Sequence, residues 1–339
     1  MKKKSLSLGL IAVFLVGMMT VLSGCGEKAP YSGYDFSEYV KVGEYKNLEY
    51  KKIKDMNLSE IVLGTEGYGE RIDTKTAFEL MEFYIENGGN VIDTARLYCE
   101  GKSEVVVGEF IEDIRDKVYV STKCAHPITL EDLSHIRLSK EEIEYDVEKS
   151  LNALRIDYID ILWLHRDDEE KPVGPIIDTL NSLVQRKKIK HFGASNWSYD
   201  RIVEANEYAE KTGQNGFIAS QALYNLATRS KKWDMKLAYI DEEKEKYDSG
   251  NIPVFAFSSQ AKGFFEKYAM GELSQKAKDR YLNEKSINTY EKIKERAQKE
   301  NWTISYTALK MLREQSDFDV FPIIGPSKMS QLKNTLNIK

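Results

Sequence analysis

Val91-Ile92-Asp93-Thr94-Ala95-Arg96-Leu97-Tyr98 joins a short β-rich run to a carboxylate and, five residues later, to a phenol. Two further runs have the same form. Val118-Tyr119-Val120 leads to Lys123, and Ile161-Leu162-Trp163-Leu164 leads to His165. In a barrel of parallel strands the carboxyl ends all open onto one mouth, so such endings would gather there. An Asp, Tyr, Lys and His brought together could move a proton at neutral pH.

From these runs the pattern extends along the chain. Strand candidates are Ile61–Leu63, Val91–Ile92, Val118–Ser121, Ile159–Leu164, Lys190–Gly193, Phe217–Ser220, Pro253–Phe257 and Val320–Ile323. Amphipathic stretches separate them: Thr76, Leu80, Phe83 and Tyr84 recur at helical spacing, as do Ile143, Val147, Leu151 and Leu154. Gly88-Gly89 ends the first, and Ser139 ahead of Lys140-Glu141-Glu142 is an N-cap candidate for the second. Strands alternating with helices over this length predict an α/β chain folded as a (β/α)8 TIM barrel, spanning 56–339. A doubly wound sheet would need a glycine-rich turn after the first strand. Gly64-Thr65-Glu66-Gly67-Tyr68-Gly69 lacks the required G-x-G-x-x-G spacing.

The 339 residues are 42% hydrophobic and 30% charged, ample for a large core under an ordinary soluble surface. A net charge of −5 and the absence of a basic stripe argue against nucleic-acid binding. The start of the chain reads differently. Lys2, Lys3 and Lys4 precede an apolar run from Leu6 to Leu22, followed by Ser23-Gly24-Cys25. This resembles the lipobox of bacterial lipoproteins, with 1–24 as signal peptide and Cys25 as the lipidated (palmitate-bearing) N-terminus. The alternative is an uncleaved membrane anchor, since the run is about long enough to span a bilayer. Either reading places the protein outside the cytoplasm, held at a cell membrane. Residues 25–55, with five tyrosines among charges and no helical stripe, read as a tether. Cys99 and Cys124 remain, as one bridge or, the favoured reading, two separate thiols.

After Tyr98 come Cys99-Glu100-Gly101-Lys102-Ser103-Glu104 and Val107-Gly108, and further on Ser121-Thr122-Lys123, Leu151 to Leu164 with His165, Gly193-Ala194-Ser195-Asn196, and Ile324-Gly325 to Leu332. In this order the motifs resemble those of the aldo/keto reductases, from about Ser59 to the C-terminus. The resemblance implies NADP(H)-dependent reduction of aldehyde or ketone carbonyls. It makes Tyr98 the proton donor, Lys123 its activator, Asp93 the partner that holds Lys123, and His165 the group that orients the substrate oxygen. An ammonium near a phenol favours phenolate and is expected to lower its pKa from about 10.

The resemblance also assigns cofactor contacts. Ser195, Asn196 and Gln221 would bind the carboxamide, Phe257 would stack on the nicotinamide, and Ser258 would reach the pyrophosphate. Ser327, Lys328 and Gln331 stand where the family holds the 2′-phosphate, and an ammonium there favours NADP(H) over NAD(H). The chain departs from the family pattern in Cys99 for a glycine, Phe257 for a tyrosine, Ser259 for a proline, and Asn334-Thr335 for Glu-Asn. No metal is expected, because His126, His135 and His191 lack ligand spacing. Ser195 lies in no nucleophile elbow. A non-catalytic, surface-anchored barrel that binds a nucleotide or another ligand is the rival reading. A hydrolase built on Asp167-Asp168 is weaker, since adjacent carboxylates do not face each other across a scissile bond.

Overall fold

A computed structural model describes residues 48–127, 135–230 and 236–338. The expected signal peptide 1–24, Cys25 and the tether through residue 47 lie outside the described residues.

The described chain begins with a hairpin, β1 (Tyr50–Ile53) and β2 (Met56–Ser59), paired antiparallel across Lys54-Asp55. Residues 50–55, expected as the end of the tether, therefore belong to this hairpin. Eight parallel strands follow: β3 (Val62–Gly64), β4 (Val91–Asp93), β5 (Tyr119–Cys124), β6 (Ile159–Leu164), β7 (Ile189–Ser195), β8 (Ser220–Leu223), β9 (Val254–Phe257) and β10 (Val320–Ile324). They pair in sequence order, and β10 closes the ring by pairing with both β9 and β3. The fold is the expected (β/α)8 barrel. One strand is shifted: β8 begins at Ser220, where the expectation ended, because Phe217 is drawn into the outer layer against Phe192 and Trp197.

The outer layer comprises α1 (Thr74–Glu86), α2 (Lys102–Ile111), α3 (Lys140–Leu154), α4 (Val173–Gln185), α5 (Tyr199–Lys211), α6 (Ile240–Gly250), α7 (Phe264–Met270), α8 (Gln275–Tyr281), α9 (Glu284–Glu300), α10 (Ile304–Glu314) and α11 (Met329–Thr335). Local signals set their ends. Ser139 and Glu142 form a reciprocal capping box at the start of α3, and α1 stops at Asn87 before Gly88 turns left-handed at φ 91°.

Alternation along the strands divides the core in two. On β6, Leu162 and Leu164 join the helix-facing layer with Ile143, Val147 and Ile177, while Ile161 and Trp163 join the inner layer with Val62, Phe255 and Phe321. Ile53, Met56 and Leu58 of the hairpin belong to that inner layer too, so the hairpin plugs the foot of the barrel. With its foot filled by apolar side chains, the barrel keeps its polar strand ends for the opposite rim.

Candidate active site

The parallel register carries the ionisable strand endings to one rim. Asp93 lies beside Gly64 and Ser121, Lys123 beside Trp163, and Ser195 beside Gln221. Tyr98 follows β4 in a tight turn in which Cys99 (φ 48°) and Glu100 (φ 57°) both adopt left-handed backbone. A glycine would hold that conformation freely, whereas Cys99 carries about 1–2 kcal/mol of strain there. Its thiol donates to the Glu66 carbonyl at 3.2 Å. Cys124 is a buried free thiol, so the two cysteines are separate.

Lys123 and Asp93 are both buried and form an ion pair of 2.5 Å between Nζ and Oδ2. The ammonium also donates to the Thr94 carbonyl at 2.8 Å and stands 4.7 Å from the centre of the Tyr98 ring. The other carboxylate oxygen of Asp93 accepts from Ser121 Oγ at 2.7 Å and from Gln221 Nε2 at 3.0 Å. Such a network fixes the lysine in place. Its effect on Tyr98 corrects the sequence-based expectation. Burial raises the Tyr98 pKa and outweighs the opposing field of Lys123, while Asp93 beside Lys123 pushes in the same direction as burial. Tyr98 is thus a protonated phenol at neutral pH, with an ammonium at hand to support its phenolate.

His165 presents its ring edge-on to Tyr98, with centroids 6.3 Å apart. Burial above all, then His126, Lys123 and Arg166, holds its pKa well below the usual histidine value. A neutral imidazole can donate one hydrogen bond without competing for the proton. Sequence reasoning passed over two neighbours. His126, set aside for want of metal spacing, packs 4.7 Å from His165 because Ala125 turns left-handed just ahead of it. Arg166, the residue after His165, is buried beside them. A signal was present, since both follow strands whose endings were already singled out.

These groups floor a cavity of about 740 Å³. The wall opposite them carries Ser195, Asn196, Gln221 and Phe257, continuing through Ser258. Ser327 and Gln331 line its far end, tied together by the Ser327 amide and hydroxyl donating to Gln331 Oε1 at 2.8 and 3.2 Å. Lys328 is exposed beside Ser327 and lies just outside the lining. Beyond Ser258, Lys262 and Lys267 also line the wall, around a left-handed turn through Ala261, Lys262 and Gly263. The wall suits a carboxamide. Asn196 donates its amide nitrogen to the His165 carbonyl at 3.1 Å, leaving Oδ1 buried and without a partner among the described residues. Gln221 likewise spends its nitrogen on Asp93. Both oxygens can accept from an amide donor.

The Aldo/keto reductase family model matches residues 60–339, nearly all of the described chain. The chain belongs to the aldo/keto reductase family. Its similarity to individual relatives is lower. Norsolorinic acid reductase B of Dothistroma septosporum is 27% identical over 301 residues, covering 83% of this chain and 74% of that protein. An uncharacterized oxidoreductase of Bacillus subtilis is 28% identical over 304 residues, 83% of this chain and 87% of its own. An aldo-keto reductase of Alternaria alternata is 26% identical over 308 residues, 79% of each. As an aldo/keto reductase the chain is an oxidoreductase at the family level.

Proposed function

We propose that this protein reduces aldehyde or ketone carbonyls to alcohols with NADP(H), and that a lipid on Cys25 tethers it to the outer side of a cell membrane. The observation that supports the chemistry best is the Asp93–Lys123 pair of 2.5 Å set against the Tyr98 ring. Tyr98, protonated at neutral pH, gives its proton to the carbonyl oxygen as negative charge develops there. Lys123 sits within reach of the phenolate that remains, and Asp93 keeps the ammonium charged and in place. His165, neutral, donates a hydrogen bond that aims the carbonyl oxygen at Tyr98. When bound, the dinucleotide supplies the hydride. Ser195, Asn196 and Gln221 would hold its carboxamide, Phe257 would cover the ring face, and Ser258 would meet the pyrophosphate. Ser327 and Gln331, with Lys328 beside them, favour the extra phosphate of NADP(H).

Fluorescence titration of the purified protein is expected to show saturable NADPH binding, tighter than NADH, and oxidation of bound NADPH by members of an aldehyde panel. Tyr98→Phe is expected to lower turnover by about 10²–10⁴-fold while NADPH affinity stays close to wild type. NADPH binding without oxidation by any carbonyl would replace the reductase with a nucleotide-binding barrel. Equal turnover in Tyr98→Phe would remove Tyr98 from the acid role. Labelled palmitate fed to cells is expected to tag the wild type and not Cys25→Ala, and an untagged wild type would favour the uncleaved anchor.

A further inference from the structure

Two imidazoles meet on the floor of the cavity, and their surroundings give them opposite hydrogen-bonding characters. His126 is 7% exposed and lines the cavity. Its Nδ1 lies 2.9 Å from the Pro127 carbonyl, which can only accept. Burial keeps the ring neutral, so its one proton sits on Nδ1. Nε2 therefore keeps its lone pair. Among the described residues nothing donates to it, and it is not sealed from the cavity. His165 is the complement. Its Nδ1 is buried without a partner among the described residues, and orphaned buried donors are rarer than orphaned acceptors, so its proton belongs on Nε2. One ring accepts and the ring beside it donates. The chain holds His126 there with strained backbone. Ala125 is left-handed at φ 63°, its amide donates to Asp146 Oδ2 at 3.2 Å, and Arg137 donates to the other Asp146 oxygen at 2.8 Å. A non-glycine residue keeps such a conformation only where its surroundings over-determine it.

We propose that His126 is a specificity-determining residue that accepts a hydrogen bond from a substrate hydroxyl, so that the preferred substrates are aldehydes or ketones with a hydroxyl on the carbon next to the carbonyl. This rests on the reductase reading above. Such a molecule carries an acceptor and a donor on adjacent carbons, which matches the donor and acceptor that two rings 4.7 Å apart present. The carbonyl oxygen accepts from His165 beside Tyr98, and the hydroxyl turns to His126 Nε2. A substrate without a donor strips that nitrogen of water and leaves it unpaired. An ammonium in place of the hydroxyl would be buried against neutral rings, with Asp93 already committed to Lys123. A neutral O–H avoids that cost.

The test compares glycolaldehyde with methoxyacetaldehyde, and hydroxyacetone with methoxyacetone, using NADPH and the full chain. Each methyl ether keeps the oxygen and loses the donor. The wild type is expected to favour the hydroxyl compound of at least one pair by about five- to tenfold in kcat/KM, as one neutral hydrogen bond implies. His126→Phe keeps a flat ring and is expected to bring that ratio to one or below. His126→Gln, whose side-chain carbonyl can accept, is expected to keep part of it. Ligand-observed NMR titration with propylene glycol and its monomethyl ether reads the same site without turnover. The glycol is expected to bind wild type and His126→Gln more tightly than the ether, by about threefold or more, and to lose that advantage in His126→Phe. Ratios near one for both pairs in a wild type that reduces them would overturn the proposal and leave the reductase reading standing. Ratios that survive His126→Phe, or equal wild-type affinities for glycol and ether, would overturn it too. A glycol preference lost in His126→Phe, in a protein that oxidises NADPH with no carbonyl, would keep the hydroxyl site and end the reductase reading.

Discussion

Asp93 at the mouth and Asp160 at the foot are both buried strand carboxylates with three good donors, yet they serve opposite ends. Asp160 binds Arg115 at 2.7 Å, Lys190 at 3.0 Å and the Val120 amide at 2.9 Å. Those two cations keep side-chain exposures of 19% and 39%, so water shares their solvation. Lys123, the cation on Asp93, is 2% exposed and has a phenol as its next neighbour. The difference teaches that a buried carboxylate in a barrel strand does not by itself mark a reactive site. What sets the mouth apart is that its cation is buried as well, so charge lost or gained there is felt by a side chain that can exchange a proton.

That contrast can be broken by substitution. Lys123→Met strands Asp93 with neutral donors and is expected to cost about 3–5 kcal/mol of unfolding free energy in urea, together with turnover. Asp160→Asn leaves cations that water can solvate, and is expected to cost about 1–3 kcal/mol with turnover kept in the folded protein. Equal losses from the two variants would mean that burial of the cation is not what separates mouth from foot.

A smaller effect sharpens the mouth side. His165 has a folded pKa below the 6.5 of an unfolded chain, so the unfolded state takes up its proton first as pH falls. The stability that this allows is full above about pH 6.5 and is lost below it. Against the wild type, His165→Gln is therefore expected to gain stability from pH 6.5 down to 5, by up to about 1.4 kcal/mol per unit. Asp167, raised by burial to about 6, tilts stability the other way, but it does so in both proteins and cancels in the difference. A flat difference across that window would show that His165 is not held neutral.

Much of the barrel was legible because its strands are buried on both faces and read as short apolar runs between polar helices, as in Ile159–Leu164. The hairpin was not. Tyr50–Ile53 and Met56–Ser59 alternate weakly, and their turn is Lys54-Asp55 with Lys54 at φ 55°, without the Asn-Gly or Asp-Gly pair that announces such turns. At the site, Asp93, Tyr98, Lys123 and His165 could be read because each ends or follows a strand in an ordered motif, and the structure brings them together. The sign of the Tyr98 shift could not, since it depends on how deeply the phenol is packed and on Asp93 offsetting Lys123. His126 and Arg166 were hidden for a related reason. Adjacency to a strand end says which rim a residue occupies, and the turn at Ala125 decides whether it faces the cavity.

The hydrogen bond from Gln221 to Asp93 joins β8 to β4, strands that stand four places apart in a ring of eight. It is a tie-rod across the full width of the barrel. The wall cannot dilate at that level without stretching it, so a bulky molecule must be admitted by the loops above, while the spacing between floor and opposite wall stays constant from one turnover to the next.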